Sequence, residues 1–113
     1  MSEAYLVLDS ESAIERMGDR DIYIEIAHCF ADNLENTLAS LAGALGSTDM
    51  ENATRFAHSL KGNCSTVGAE ELRQNCLLLE QTCRRDEREE ALRLFSELRP
   101  KLSALRAVLR QLQ

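Results

Sequence analysis

The sequence is short of chain breakers. It has one proline, five glycines and no tryptophan in 113 residues, and aromatic side chains make up 4%. With Leu, Ala, Glu and Arg abundant, that composition favours helix throughout. No run of 18 apolar residues occurs, so the sequence predicts no membrane-spanning helix. The N-terminal stretch MSEAYLVLDSES lacks a basic region and has only a short apolar segment, and it does not read as a secretory signal. Cys29, Cys64, Cys76 and Cys83 form no CxxC pair and no metal-type spacing with His28 or His58. Cys76 and Cys83 lie seven apart on an expected helix, so about 10 Å separates their Cα atoms, too far for a bridge. Cys64, Cys76 and Cys83 fall on apolar faces, where thiols act as small core residues, and the expected compartment is a reducing cytoplasm.

Positive charge is also scarce, with a net charge of −6. It is unevenly placed: residues 1–57 carry 11 acidic and 3 basic side chains, a balance of −8, and residues 58–113 carry 8 and 10, a balance of +2. No basic stripe could neutralise phosphates along a duplex, which argues against nucleic-acid binding. No G-x-G or P-loop pattern marks a nucleotide site.

What is present is helical periodicity in a chain long enough for one domain, residues 1–113, at a globular 44% apolar content. A short helix is expected over about 10–17, capped by Asp9 or Ser10 and ended by Gly18. A second is expected over about 20–45, with Tyr23, Ile26, Ala27, Phe30, Leu34, Leu38, Leu41, Ala42 and Leu45 as its apolar stripe and Gly46 as its stop. Thr48-Asp49-Met50-Glu51 fits a capping box opening a third helix to about 67, with Gly68 as its left-handed terminator. A fourth covers about 69–84, and Asp86 with Glu89 caps a fifth from about 87 to 112. Pro100 interrupts that last pattern, but the apolar spacing resumes at Leu102, Leu105, Leu109 and Leu112, which predicts a kink rather than a break. Short connections between long amphipathic helices imply an all-α, antiparallel up-down four-helix bundle with a short additional N-terminal helix.

On the third helix, at about 100° per residue, Ala53, Phe56, Ala57, Leu60, Cys64 and Val67 cluster on one side and His58 falls near 140° from them. His58 therefore faces solvent or a partner. By itself it reads as a surface histidine, as does His28, which lies opposite Phe30 on the second helix. Gly62 sets His58 apart. It lies one turn later in mid-helix, where glycine costs about 0.5–1 kcal/mol relative to alanine. A bare position there clears room beside the imidazole for a phosphoryl group or another protein's active site; close packing against a neighbouring helix is the alternative. Lys61 reaches over the same patch, where an ammonium would offset phosphoryl charge.

On the fourth helix Leu72, Cys76, Leu79 and Cys83 form the inward stripe and Glu80 sits at its margin. A partly buried carboxylate needs donors. His58 is one candidate, and bonding through Nδ1–H would leave Nε2 as the free lone pair that a histidine nucleophile requires. Arg84, four residues on, is the other, and the two are compatible.

The run His58-Ser59-Leu60-Lys61-Gly62, followed by Val67-Gly68-Ala69, Leu72, Cys76 and Leu79-Glu80, resembles the signature of histidine-containing phosphotransfer (HPt) domains of multistep phosphorelays. The likeness extends to Asp9 at the first helix, Phe30 in the second and Asp49 before the third; Asn63-Cys64 stands where a pair of small residues is commoner. The resemblance implies that His58 is the phosphoryl acceptor, with Lys61 as electrostatic neighbour and Gly62 as the open position. Glu80 matches a Gln or Glu bonded to the acceptor imidazole, and Arg84 matches a position that is sometimes basic.

It further implies a cytoplasmic, monomeric phosphoryl carrier rather than an enzyme. The partners implied are response-regulator receiver domains and a hybrid sensor histidine kinase, with no cofactor of its own and Mg²⁺ supplied by the receiver. Some relatives are instead the first domain of a chemotaxis kinase. Two rivals from other classes are a docking module that binds a receiver without phosphorylation, and an enzyme using His58 as general base; no nucleophile can be assigned to the latter. Receiver docking is expected over Ala13, Ile14, Met17 and Ile22 or Ile24.

Overall fold

The computed structural model describes residues 8–113. Five helices follow one another: α1 (Ser10–Met17), α2 (Arg20–Gly46), α3 (Met50–Val67), α4 (Glu70–Arg84) and α5 (Arg88–Arg110). α2 packs on α3 and α5, and α4 packs on the same two, so α2 to α5 close a four-helix ring with α1 laid across α2 and α3. Neighbours run antiparallel. Tyr23 at the start of α2 donates its hydroxyl to the carbonyl of Val67 at the end of α3, at 2.7 Å. Arg88 at the start of α5 donates to the carbonyl of Leu45 at the end of α2, at 2.8 Å. The up-down bundle with a short leading helix is the expected architecture.

Helix starts depart from expectation in an instructive way. Asp9 and Asp19 cap α1 and α2 through their carboxylates. The capping box expected at Thr48 and Glu51 does not form. Thr48 sits at φ 57°, in the left-handed region, and the cap moves to Asp49, whose carboxylate accepts from the Asn52 N–H. Asp86 likewise sits at φ 59°, so Glu87 rather than Asp86 precedes α5, and no side chain caps that helix. In both tight connections the chain needs one residue to reverse before the next helix begins, and the residue that reverses is unavailable as a cap. Gly46 does not stop α2; it is the last helical residue, and Ser47 closes the end through Gly43 and Leu45 carbonyls. α5 runs unbroken through Pro100.

Gly68 is required twice over. Its φ is 87°, and a Cβ there would stand 2.5 Å from the backbone oxygen of Asp9, whose N–H bonds the Gly68 carbonyl at 2.9 Å. The segment leading into α1 is thereby fastened to the turn between α3 and α4.

Every helix contributes to the core, which is chiefly leucine and alanine with Tyr23, Phe30 and Phe95. Three readings of the stripes change. Ile26 is 38% exposed and Ala42 only half-buried, while Ala31 and Ala44 take the buried positions, because α2 faces both α3 and α5 and its inner face is wider than one stripe. Phe56 is half-buried rather than core. His28 is not a plain surface residue: it is half-buried, with Nε2 2.9 Å from the Leu112 carbonyl, to which it donates. Cys64, Cys76 and Cys83 are buried and free. The neighbouring Cys76 thiol on α4 together with burial pushes the pKa of the Cys64 thiol up.

Candidate functional site

His58 lies midway along α3, and the antiparallel run of α4 brings Glu80 to the same level. Glu80 is more than marginal: it is 2% exposed, one of two buried polar residues among those described. Its carboxylate gathers three nitrogens. His58 Nδ1 stands 3.1 Å from Oε2, Arg84 donates to the same oxygen at 2.8 Å, and Lys61 Nζ pairs with Oε1 at 2.8 Å. Burial by itself would raise the Glu80 pKa, but the contacts with Lys61, His58 and Arg84 outweigh it and hold the carboxyl below its ordinary value. Glu80 is thus an ionised acceptor.

An ionised carboxylate can only accept, so in the neutral imidazole the proton sits on Nδ1 and Nε2 keeps its lone pair. The imidazole is 63% exposed, with its inner edge fixed and its outer edge open. Lys61 is 23% exposed and drawn down onto Glu80 rather than stretched across the surface. Arg84 is 64% exposed, so one face of its guanidinium bonds Glu80 while the rest reaches solvent.

Gly62 lies one turn beyond His58, exposed, with nothing within 4 Å of where a Cβ would stand. Close packing against a neighbouring helix therefore does not explain this glycine. On the other side of His58, an open hollow of about 350 Å³ is lined by Thr54, Arg55, His58, Ser59 and Arg84.

All five residues singled out in the sequence meet at one place, with His58, Lys61 and Arg84 around the carboxylate of Glu80. Arg55 was not singled out. It lies three residues before His58, and the spacing was the available signal. Of the expected docking residues, Ala13 is buried at 1% and drops out, because α1 turns it onto the core. Ile14, Met17 and Ile24 are half-buried, and Ile22 is 45% exposed. Among the described residues, no helix is long and apolar enough to cross a membrane, and no group of three His, Cys, Asp or Glu stands ready to hold a metal.

The chain matches the Hpt domain family over residues 25–112. The phosphorelay intermediate protein rdeA of Dictyostelium discoideum is 25% identical over 92 residues, covering 81% of this chain and 36% of that protein. Little more than a third of the Dictyostelium protein is therefore represented. Histidine-containing phosphotransfer protein 1 of Oryza sativa subsp. japonica is 26% identical over 102 residues, covering 82% of this chain and 69% of that protein. The fold matches the crystal structure of histidine-containing phosphotransfer protein B from Pseudomonas aeruginosa PAO1 with a TM-score of 0.77 and 30% identity, over 98% of this chain and 91% of that one. An all-helical bundle, an exposed imidazole oriented by a buried carboxylate, and a family match over most of its length together make this chain a member of the histidine-containing phosphotransfer (HPt) family of phosphorelay signalling.

Proposed function

We propose that this protein carries a phosphoryl group on Nε2 of His58, taking it from an aspartyl phosphate on one receiver domain and passing it to the aspartate of another. The observation that carries this reading is the 3.1 Å contact between His58 Nδ1 and Glu80 Oε2, which selects the nucleophilic tautomer on an exposed ring. In the uptake step the Nε2 lone pair attacks phosphorus, a P–N bond forms, and the P–O bond to the receiver's aspartate breaks, releasing a carboxylate. The proton on Nδ1 stays in place. The ring becomes a phosphorylated imidazolium, and the Glu80 carboxylate offsets that positive charge. Return transfer reverses these bonds, with the second aspartate oxygen attacking phosphorus and Nε2 recovering its lone pair.

Lys61 and Arg84 flank the same carboxylate, so the cluster carries net positive charge toward an incoming phosphoryl group. Gly62 leaves the approach open. This chain positions the nucleophile and supplies the cations beside it; the Mg²⁺ would come from the receiver. The upstream partner is a hybrid sensor histidine kinase and the downstream one a response regulator. We place the protein in the cytoplasm as a monomer forming one domain over 1–113.

The test is chemical. Incubation with a phosphorylated receiver should produce a linkage on the protein that is labile to acid and stable to base, mapped to His58. Docking without that linkage would identify a binding module instead, and a linkage stable to acid would point to another side chain.

A further inference from the structure

α3 presents a second cation beside His58. Asp49, Asn52, Arg55, His58 and Lys61 recur at every third position. The first three are linked. Asp49, the cap of α3, accepts from the Asn52 backbone N–H at 3.2 Å and from its side-chain amide at 2.7 Å. The Asn52 side-chain oxygen in turn accepts from Arg55 at 3.2 Å. Arg55 is exposed, and this one contact steadies its guanidinium from the side away from His58. Among the described residues no carboxylate lies within ion-pair distance of Arg55, whereas Lys61 and Arg84 are both engaged by Glu80.

That difference bears on where phosphoryl oxygens could find donors, because Lys61 and Arg84 share the charge of Glu80. A phosphoryl group brings about −1.5 to −2 charge at neutral pH. Of the two cations that line the hollow beside His58, Arg84 is engaged by Glu80 and Arg55 has no carboxylate partner among the described residues. Its place is also suitable. Arg55 and Arg84 line the same open hollow as His58, together with Thr54 and Ser59. With Nδ1 turned inward to Glu80, the phosphoryl group grows from the outer edge of the ring, at the rim of that hollow. A guanidinium offers a planar pair of N–H donors suited to phosphoryl oxygens.

We propose that Arg55 is a phosphoryl-binding residue, which with Arg84 grips the oxygens of the phosphoryl group on His58. This rests on His58 being the acceptor. The role appears only in the phosphorylated state: Arg55 holds no part of the unphosphorylated imidazole and is not needed for the tautomer.

The experiment is a ³¹P NMR titration of this chain phosphorylated with phosphoramidate, a small donor that needs no receiver. A neighbouring cation favours the dianion, so Arg55→Ala should raise the titration midpoint of the phosphoryl group by about half a unit. Arg55→Lys should lie between the two, and the difference should shrink in 1 M salt because the site is exposed. Arg55→Gln serves as a second neutral variant should alanine disturb α3. An unchanged midpoint in both neutral variants, with a clear phosphohistidine signal, overturns the role of Arg55 alone. A wild type that shows no phosphohistidine at His58 overturns the acceptor assignment, and this inference falls with it.

Discussion

His58 and Glu80 are 22 residues apart in the chain, yet Nδ1 of the first lies 3.1 Å from Oε2 of the second. The pair joins one of the more exposed side chains of α3 to one of the least exposed of α4, at 63% and 2%. That asymmetry separates reactivity from support: one partner meets other proteins while the other fixes its proton.

His58→Gln should abolish phosphoryl uptake and leave the fold intact. The ring is largely exposed, so the loss in stability should stay within about 1 kcal/mol, the worth of one hydrogen bond. Undiminished ³²P incorporation in this variant would move the acceptor elsewhere, with His28, tied to the Leu112 carbonyl, the remaining histidine.

Glu80 makes stability depend on pH in a defined direction. Its folded pKa lies below the ordinary 4.5, so it stabilises the fold above that value and ceases to do so as the pH falls through the folded pKa. Glu80→Gln should therefore melt below wild type at pH 6–7, and the gap should close on acidification below about 4.5. A gap that persists unchanged to pH 3 would mean that shape, and not charge, sets the contribution of Glu80.

Lys61→Ala should slow transfer in both directions by on the order of fivefold, equivalent to ~1 kcal/mol for one cation near the protein surface. Receiver affinity should change less. Stopped-flow transfer rates within twofold of wild type would reduce Lys61 to a partner of Glu80.

At Gly62, stability and function should move in opposite directions. Nothing stands within 4 Å of an added Cβ, so Gly62→Ala should stabilise α3 by about 0.5–1 kcal/mol. Gly62→Arg should also fold but obstruct the approach to His58 and cut transfer sharply. Thermal melts and transfer rates on the same variants decide the matter, and destabilisation by alanine would end the clearance explanation.

Docking should extend from His58 toward the start of α2, where Ile22 is 45% and Ile26 is 38% exposed. Ile22→Asp and Ile26→Asp should weaken receiver binding tenfold or more, roughly 1.4 kcal/mol, with little effect on melting. Retained affinity in the double variant, measured by calorimetry, would place the receiver on another face.

Periodicity sufficed for the helices themselves, since burial of an apolar stripe every three to four residues is a local property that any bundle must satisfy. The same wheel that buried Leu60 and Cys64 turned His58 outward, so the reactive face was legible in the sequence, as was the cost of a glycine at 62. Other features depended on which segments meet. Thr48 and Asp86 had the composition of caps, but each reverses a tight connection at positive φ, and the cap passed to the next residue. Ile26 had core spacing, but the turn of α2 between two neighbours left it at the surface. Glu80 read as marginal because a helix wheel cannot show what covers a face; α3 packed against α4 buried it and surrounded it with His58, Lys61 and Arg84. Residue type and spacing determined that a histidine would face outward, while only the antiparallel packing of α3 on α4 decided which nitrogen of its ring would be free.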